Sequence, residues 1–521
     1  MSRPFQLCML LAVLLAAGLR CPLLDYRPMH TDESVNALKL GQLWRDGYYH
    51  YNPMEYHGPA LAYASLAWQK LTLAPDFALW TDSRPRSLTV LFGLGLILLL
   101  PLVSDGLGRN GALAAAFLTA VSPVMVCYSR DYIHETLLVF FTFLTLAAGW
   151  RYARERKLRW ILLAGAGIGL MQATKETFLF NLAAASAAGL LLRRFWPAPV
   201  AALKTNPAKT DASWHLAAGL AAWLAVALLL FSSFLTNPAG PLDAVRTYKY
   251  WMQSAQGASP HVHPWSFYAQ RLLFFHVKGG PVWSEALILA LAVGGGFAAF
   301  GRRQLPGANA VFVRFLAFYT AILAAIYTAL PYKTPWCVLG FWHGAILLAG
   351  VGAAALICGL KEPRLKIAAG IVLLTGAVQL AIQAWLAAVP YAADQHNPWC
   401  YAQTSRDLLN LVSEVRALSQ VSPQDGGMRI NVMTPEDDYW PLPWYLRRFN
   451  SAEWRSEIPD DPKVPVDPYA PVIIISPKLE AGLDAGKAGL MAKIFELRPG
   501  TFLELFVQTN LWSAYLEHQP K

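Results

Sequence analysis

Eleven apolar runs dominate this 521-residue chain, near residues 4–24, 86–104, 111–128, 134–151, 158–174, 177–193, 214–235, 282–300, 311–330, 336–358 and 366–389. Each is read as a helix able to cross about 30 Å of hydrocarbon, which takes on the order of 20 residues. With 55% hydrophobic and only 15% charged residues, a disordered chain, a coiled coil and an ordinary soluble enzyme are excluded. The first run, FQLCMLLAVLLAAGL at 5–19, follows a lone Arg3 and has no A-x-A site after it, so it is expected to be an uncleaved first span rather than a signal peptide.

A further apolar stretch, 59–74, carries Gln69 and Lys70 and as a helix would reach only about 24 Å. The basic residues decide its placement. If it does not cross, Arg109, Arg151, Arg154, Arg156, Lys157, Arg159, Arg193, Arg194, Lys204, Lys209, Arg302, Arg303, Lys361, Arg364 and Lys366 all lie on the cytoplasmic side, as the positive-inside rule requires. The net charge of +10 is therefore a topology signal, and no nucleic-acid partner is expected. The stretch 59–74 is read as a helix at the outer interface. The outer face then receives the loop 25–85, the turn SRDYIHE (129–135), Lys175 and Glu176, the loop 237–281, the turn PYKTPW (331–336) and everything after about 390. The protein is thus expected in the inner (plasma) membrane.

The fold expected is a mainly α, polytopic bundle of about 11 spans over 1–393, followed by a small extracytoplasmic α/β domain over 394–521. In that tail SRDLLNLVSEVRALSQ (405–420) has helical period, while 428–434, 471–476 and 502–508 read as strands, separated by Pro-rich linkers such as 459–471. The six cysteines are scattered with no CxxC spacing, which gives neither a disulfide framework nor a zinc knuckle. P-loop and GxGxxG motifs are lacking, so no nucleotide cofactor is expected.

Chemistry is sought where ionisable residues gather at the ends of spans, because they are costly there without a task. Asp32 and Glu33 are adjacent carboxylates just past the first run, followed by Glu55, Tyr56, His57, Gly58 and Pro59. A helix N-cap at Thr31 or Asp32 is the bland reading of that start. In SRDYIHE, helical spacing would put Asp131, His134 and Glu135 on one face; the alternative is a salt-bridged helix start. Lys175 and Glu176 either serve a ligand or pair with one another. Lys333 is held in a tight turn between Pro331 and Pro335, as an interface anchor or as a charge for a lipid-linked phosphate. The loop 237–281 carries Arg246, Trp251, His261, His263 and Arg271; the two histidines lack a third metal ligand nearby. DDYWPLPWYLRRF (437–449) is read as the packing of the tail onto the membrane portion.

As a set, HTDE, YHYNPMEYHGP, SPVMVCYSRDYIHE, QATKE and PYKTPW resemble the GT-C membrane glycosyltransferases, including the protein O-mannosyltransferases and the aminoarabinose transferase of lipid A. The resemblance covers roughly residues 1–400 and is nearest to the bacterial and archaeal flippase-activity-associated branch. It implies an inverting transfer of a sugar from a polyprenyl-phosphate donor to a protein, lipid or glycan acceptor on the outer face. Asp32 matches the general-base position, Glu33 is its partner, and His57 matches the histidine of an HPP-like element, here HGP. Asp131 and Glu135 match the second acidic turn. Arg130, Lys333, His57, Tyr56, Lys175 and Arg246 are the candidates for substrate or phosphate. Asp131, Glu135 and His57 are the candidates for a divalent ion such as Mg, Mn or Zn. A lipid-linked sugar transporter or flippase, or a non-catalytic partner of one, is the competing reading; against it, the carboxylates sit at one end of the helices rather than at the midplane.

Overall fold

The computed structural model describes residues 2–54, 57–201, 212–254, 261–301, 305, 307–401, 403–422, 427–457, 470–479 and 489–518. Glu55, Tyr56, Lys204, Lys209, Arg302, Arg303 and most of the Pro-rich linker 459–471 lie outside them. All eleven apolar runs are helical in their greater part. Among the described residues, eight helices are long and apolar enough to cross a membrane: Arg3–Arg20, Ser83–Leu107, Glu135–Glu155, Phe178–Phe195, Ser213–Phe231, Ala310–Ala329, Pro335–Gly359 and Pro363–Ala388.

Three of the expected runs are bent or short rather than single long helices, and the bent pair makes nine such helices if it is one span. Run 111–128 is a bent pair, Arg109–Val121 and Pro123–Ser129, meeting at 61°. Ser122 is extended (φ −61°, ψ 120°), as the residue before a proline tends to be. Runs 158–174 and 282–300 give helices of only 15 residues, Leu158–Gln172 and Ala286–Phe300, about 22 Å each. At the second, Trp283 pairs with Phe275 through two backbone hydrogen bonds of 3.0 and 2.9 Å, which delays the helix. The helices approach closely at small residues, a way membrane helices pack. A Cβ on Gly350 would stand 2.3 Å from the carbonyl oxygen of Gly111, and one on Gly352 2.0 Å from that of Leu291.

Helix α1 (Arg3–Arg20) leads into α2 (Thr31–Asp46) and α3 (Ala60–Leu71). Helix α2 starts earlier than expected: His30, rather than Thr31 or Asp32, is the N-cap, and Glu33 reaches back to the His30 N–H at 2.9 Å, a capping box. Helix α3 is the interfacial helix of the sequence reading, 12 residues long. Its Ser65 hydroxyl meets the Tyr132 hydroxyl at 2.6 Å, which fastens it to the 129–135 turn.

The tail forms a five-stranded sheet in the order β2-β1-β3-β5-β4, with β1 Ile430–Met433, β2 Ala452–Arg455, β3 Val472–Ile475, β4 Leu490–Arg498 and β5 Thr501–Gln508. Strands β2, β1 and β3 are parallel; β5 runs antiparallel to β3 and β4. Helix Asp407–Val421 covers one face, burying Leu408, Leu411, Val412, Val415 and Leu418. The same core continues into Met29, Leu40, Phe77 and Trp80. As read from the sequence, 437–449 makes the join: Trp444 Nε1 and the Tyr445 hydroxyl each donate to Asp82 at 2.7 Å, and the Met29 N–H donates to the Tyr445 oxygen at 2.7 Å.

Candidate functional site

The segments that the sequence placed on one outer face converge around the start of α2. The Trp336 ring meets His30 edge-on at 5.9 Å and Tyr401 at 5.8 Å, which brings the PYKTPW turn against the N-cap of α2. Tyr401, just past the last span, shares hydrogen bonds with His261 Nδ1 at 2.5 Å and His263 Nε2 at 3.4 Å. The backbone of His261 in turn accepts from the Lys333 N–H at 2.9 Å.

Beneath this lies a buried four-charge network. Glu33 is fully buried, and its two oxygens accept from Arg27 at 2.6 Å, from Arg86 Nε and Nη2 at 2.8 and 2.9 Å, and from the backbone N–H groups of His30 and Tyr132 at 2.9 and 2.8 Å. Arg27 also pairs with Asp131. Burial opposes ionisation of Glu33, but Arg27 and Arg86 outweigh it and hold its carboxyl far below the usual range. For Asp131 burial prevails over the pull of Arg27, and its pKa rises. Glu33 therefore has no lone pair left for a substrate. It fixes the loop that presents Asp32.

Asp32 differs from every other acid here. Its side chain is exposed and has neither a hydrogen-bond nor an ion-pair partner among the described residues. It lies within electrostatic reach of His261 and Tyr332: burial lowers the His261 pKa and Asp32 pulls it up, while burial raises the Tyr332 pKa. Lys333 is 2% exposed. Its Nζ donates to the carbonyls of His263, at 3.1 Å, and Leu330. Burial lowers its pKa, and it has no carboxylate partner among the described residues.

A second cluster adjoins. His57 Nδ1 meets Glu176 Oε2 at 2.7 Å, stacks on Trp251 at 5.2 Å and meets His134 edge-on at 5.0 Å. Lys175 pairs with Glu135, so Lys175 and Glu176 each pair with a distant residue rather than with one another. Gly58 makes this possible: its position beside the 173–177 turn would place a Cβ 2.2 Å from the Ala173 carbonyl oxygen, which accepts from the Ala60 N–H at 2.8 Å.

Several expected roles change. Arg130 does not face a ligand; its guanidinium donates to the carbonyls of Arg20 and Pro22, both at 2.7 Å, and of Leu23 at 3.1 Å, capping the end of α1. Arg246 is on the exposed side of helix Gly240–Ser254, paired with Asp243 at 3.1 Å, while Thr247 of that helix turns inward to Pro53. Asp131, Glu135 and His57 are not gathered into a metal site. Each is committed to a different partner, Arg27, Lys175 and Glu176, because a desolvated charge takes the nearest opposite one. No group of three or more such ligands forms among the described residues. Arg27, Arg86, Tyr401 and Tyr132 were not foreseen; a charge at the start of an apolar run, as Arg86 is, is the signal that could have found one of them.

Residues 86–206 match the model of the family described as dolichyl-phosphate-mannose-protein mannosyltransferase. No curated protein matches the chain in sequence. The solved structure of ArnT from Cupriavidus metallidurans bound to undecaprenyl phosphate is similar with a TM-score of 0.63, 11% identity, and coverage of 97% of this chain and 98% of that one. The oligosaccharyltransferase AglB from Archaeoglobus fulgidus, in complex with an inhibitory peptide and a dolichol-phosphate, is similar with a TM-score of 0.50, 12% identity, and coverage of 98% and 77%. These likenesses do not distinguish the flippase-activity-associated branch. Over nearly its whole length the chain has the fold of ArnT, and its long apolar helices make it a multi-pass membrane protein.

Proposed function

We propose that this protein is an inverting glycosyltransferase that moves a hexosyl or pentosyl unit from a polyprenyl-phosphate donor to an acceptor hydroxyl of a protein, lipid or glycan. The reaction takes place on the outer face of the inner membrane, with the tail extracytoplasmic. The observation that supports this reading is the contrast at the start of α2: Asp32 is exposed and has no side-chain partner among the described residues, while Glu33, Asp131, Glu135 and Glu176 each face an opposite charge. A free carboxylate held beside a fully satisfied scaffold suits a general base. Asp32 takes the proton of the acceptor hydroxyl as its oxygen attacks the anomeric carbon, and the bond from that carbon to the phosphate oxygen breaks with its electron pair leaving on the phosphate. Lys333, whose ammonium has no carboxylate partner among the described residues, supplies charge to the departing phosphate. The lipid-phosphate ligands of the ArnT and AglB structures support a donor of this class. Asp131, Glu135 and His57 as arranged do not fit a divalent ion, and no step is assigned to one.

The test is release of label from radiolabelled polyprenyl-phosphate hexoses and pentoses by the purified full-length protein in detergent, with and without EDTA, beside Asp32→Asn. Loss of a general base lowers turnover by about 10²- to 10⁴-fold, so the variant should retain at most a trace. Equal turnover by Asp32→Asn refutes Asp32 as base. No turnover with any donor by folded wild-type protein refutes the transferase reading and favours lipid transport.

A further inference from the structure

A cavity of about 380 Å³ lies between the far end of α2, the loop before the second span and the tail, lined by Arg45, Asp76, Phe77, Phe449, Arg447 and Trp454 among others. Its size suits a small ligand rather than a lipid chain. Arg45 and Asp76 are exposed at its rim, while Phe77 and Leu446 are buried in its wall. Four arginines, Arg45, Arg416, Arg447 and Arg448, outnumber the two acids nearby, Asp76 and Asp82. Arg45 has no acidic partner among the described residues, and Arg416 and Arg448 lie within electrostatic range of Arg447. The two nearby acids are occupied: Asp76 accepts from the Ala78 N–H at 2.9 Å, and both Asp82 oxygens are taken by Trp444 and Tyr445. Arg447 donates to the carbonyls of Trp80 and Trp444, but its buried Nε has no partner among the described residues.

Free guanidinium donors recognise carboxylate and phosphate oxygens, and the half-buried rings of Phe449 and Trp454 in the lining suit the C–H face of a sugar ring. We infer that this cavity binds an acidic saccharide, with Arg45 and Arg447 on its carboxylate or phosphate and the aromatic rings against its sugar. Resting on the transferase reading above, the bound unit belongs to the acceptor. Asp32 and Arg45 stand at opposite ends of α2, about 20 Å apart along the helix axis, a span that a short oligosaccharide bridges. The acceptor is then an anionic glycan held at two points.

The test is titration calorimetry of the full-length protein in detergent with trigalacturonate and with glucose 6-phosphate, against maltotriose and inorganic phosphate. Saturable binding of an acidic sugar, weakened about tenfold by Arg45→Gln or Arg447→Gln, as losing one charge-assisted contact predicts, is expected. Arg45→Gln guards against misfolding, since Arg45 is exposed, whereas Arg447 also bonds to Trp80. Absence of binding by both acidic sugars, equal affinity for maltotriose or for inorganic phosphate, or unchanged affinity in both variants overturns the inference. The cavity therefore fails or stands on binding, and the transferase reading on turnover.

Discussion

The neighbouring carboxylates Asp32 and Glu33 should behave as opposites when each is made neutral without change of shape. Glu33→Gln removes the charge that Arg27 and Arg86 share and replaces one acceptor oxygen with an amide donor. Whichever oxygen is lost faces at least two N–H groups: Arg86 Nε and the Tyr132 N–H on one side, or Arg27, Arg86 Nη2 and the His30 N–H on the other. Breaking a buried ion pair by removing one partner costs about 3–5 kcal/mol. Arg27 keeps Asp131, and Arg86 keeps the carbonyls of Arg27 and Pro28 at 3.0 and 3.1 Å, so the lower end, about 3 kcal/mol, is expected. Asp32→Asn, exposed and unpaired, should shift stability by no more than about 0.5 kcal/mol. Thermal unfolding in detergent, followed by intrinsic tryptophan fluorescence, reads both variants, and turnover is measured on the folded fraction. An unchanged unfolding temperature in Glu33→Gln together with lost turnover would refute this division of labour, since Glu33 would then act in the chemistry.

Three further outcomes follow from the geometry. Gly58→Ala drives a methyl into the Ala173 carbonyl and must part the 57–60 loop from the 173–177 turn; overpacking of this kind costs about 1–3 kcal/mol, and wild-type unfolding temperature and turnover would contradict it. His134 is buried, and burial, then His57 and Lys175, hold its pKa well below the ordinary value. The unfolded chain therefore binds a proton that the folded one refuses, and stability falls as pH drops below about 6.5, by up to about 1.4 kcal/mol per pH unit. His134→Asn should flatten that part of the pH–stability curve, and an equal slope in the variant would remove His134 as its source. Tyr445→Phe leaves the Met29 N–H and one Asp82 oxygen without their shared hydroxyl, a cost of about 1–3 kcal/mol. Limited proteolysis should then cut the tail faster, and an unaltered digestion rate would speak against this contact as a tether.

Hydropathy made the helices legible because apolar length is a local property. It did not foretell the bend in run 111–128 or the shortness of the helices in runs 158–174 and 282–300, where Pro123 breaks the helix or apolar residues continue beyond the helix end into a turn or a backbone bridge. In the tail, β1, β3 and β5 were visible as short apolar runs, whereas β4, an edge strand with Met491 and Ile494 exposed, and the four-residue β2 carry too weak an alternation. The chemical residues were legible as types and in clusters, but their pairing was not. Glu135 meets Lys175, His57 meets Glu176, and Glu33 meets Arg86, partners brought together only by the packing of separate helices. For this reason an acidic turn that read as a ligand set folds into separate ion pairs, while Asp32, set apart from Glu33 in the sequence by the family resemblance alone, has no side-chain partner among the described residues.

The grip of the tail on residue 29 also sets an order of assembly. The Met29 N–H and carbonyl are held by Tyr445 and by Thr404 at 2.7 and 2.8 Å, three residues before Asp32. During synthesis the first outer loop therefore waits, with one wall missing, while more than four hundred residues are made. Only when Thr404 and Tyr445 have been made and the core of the tail has closed on Met29, Phe77 and Trp80 does the loop acquire its final shape, so the start of α2, which carries Asp32, is completed last although it is made first.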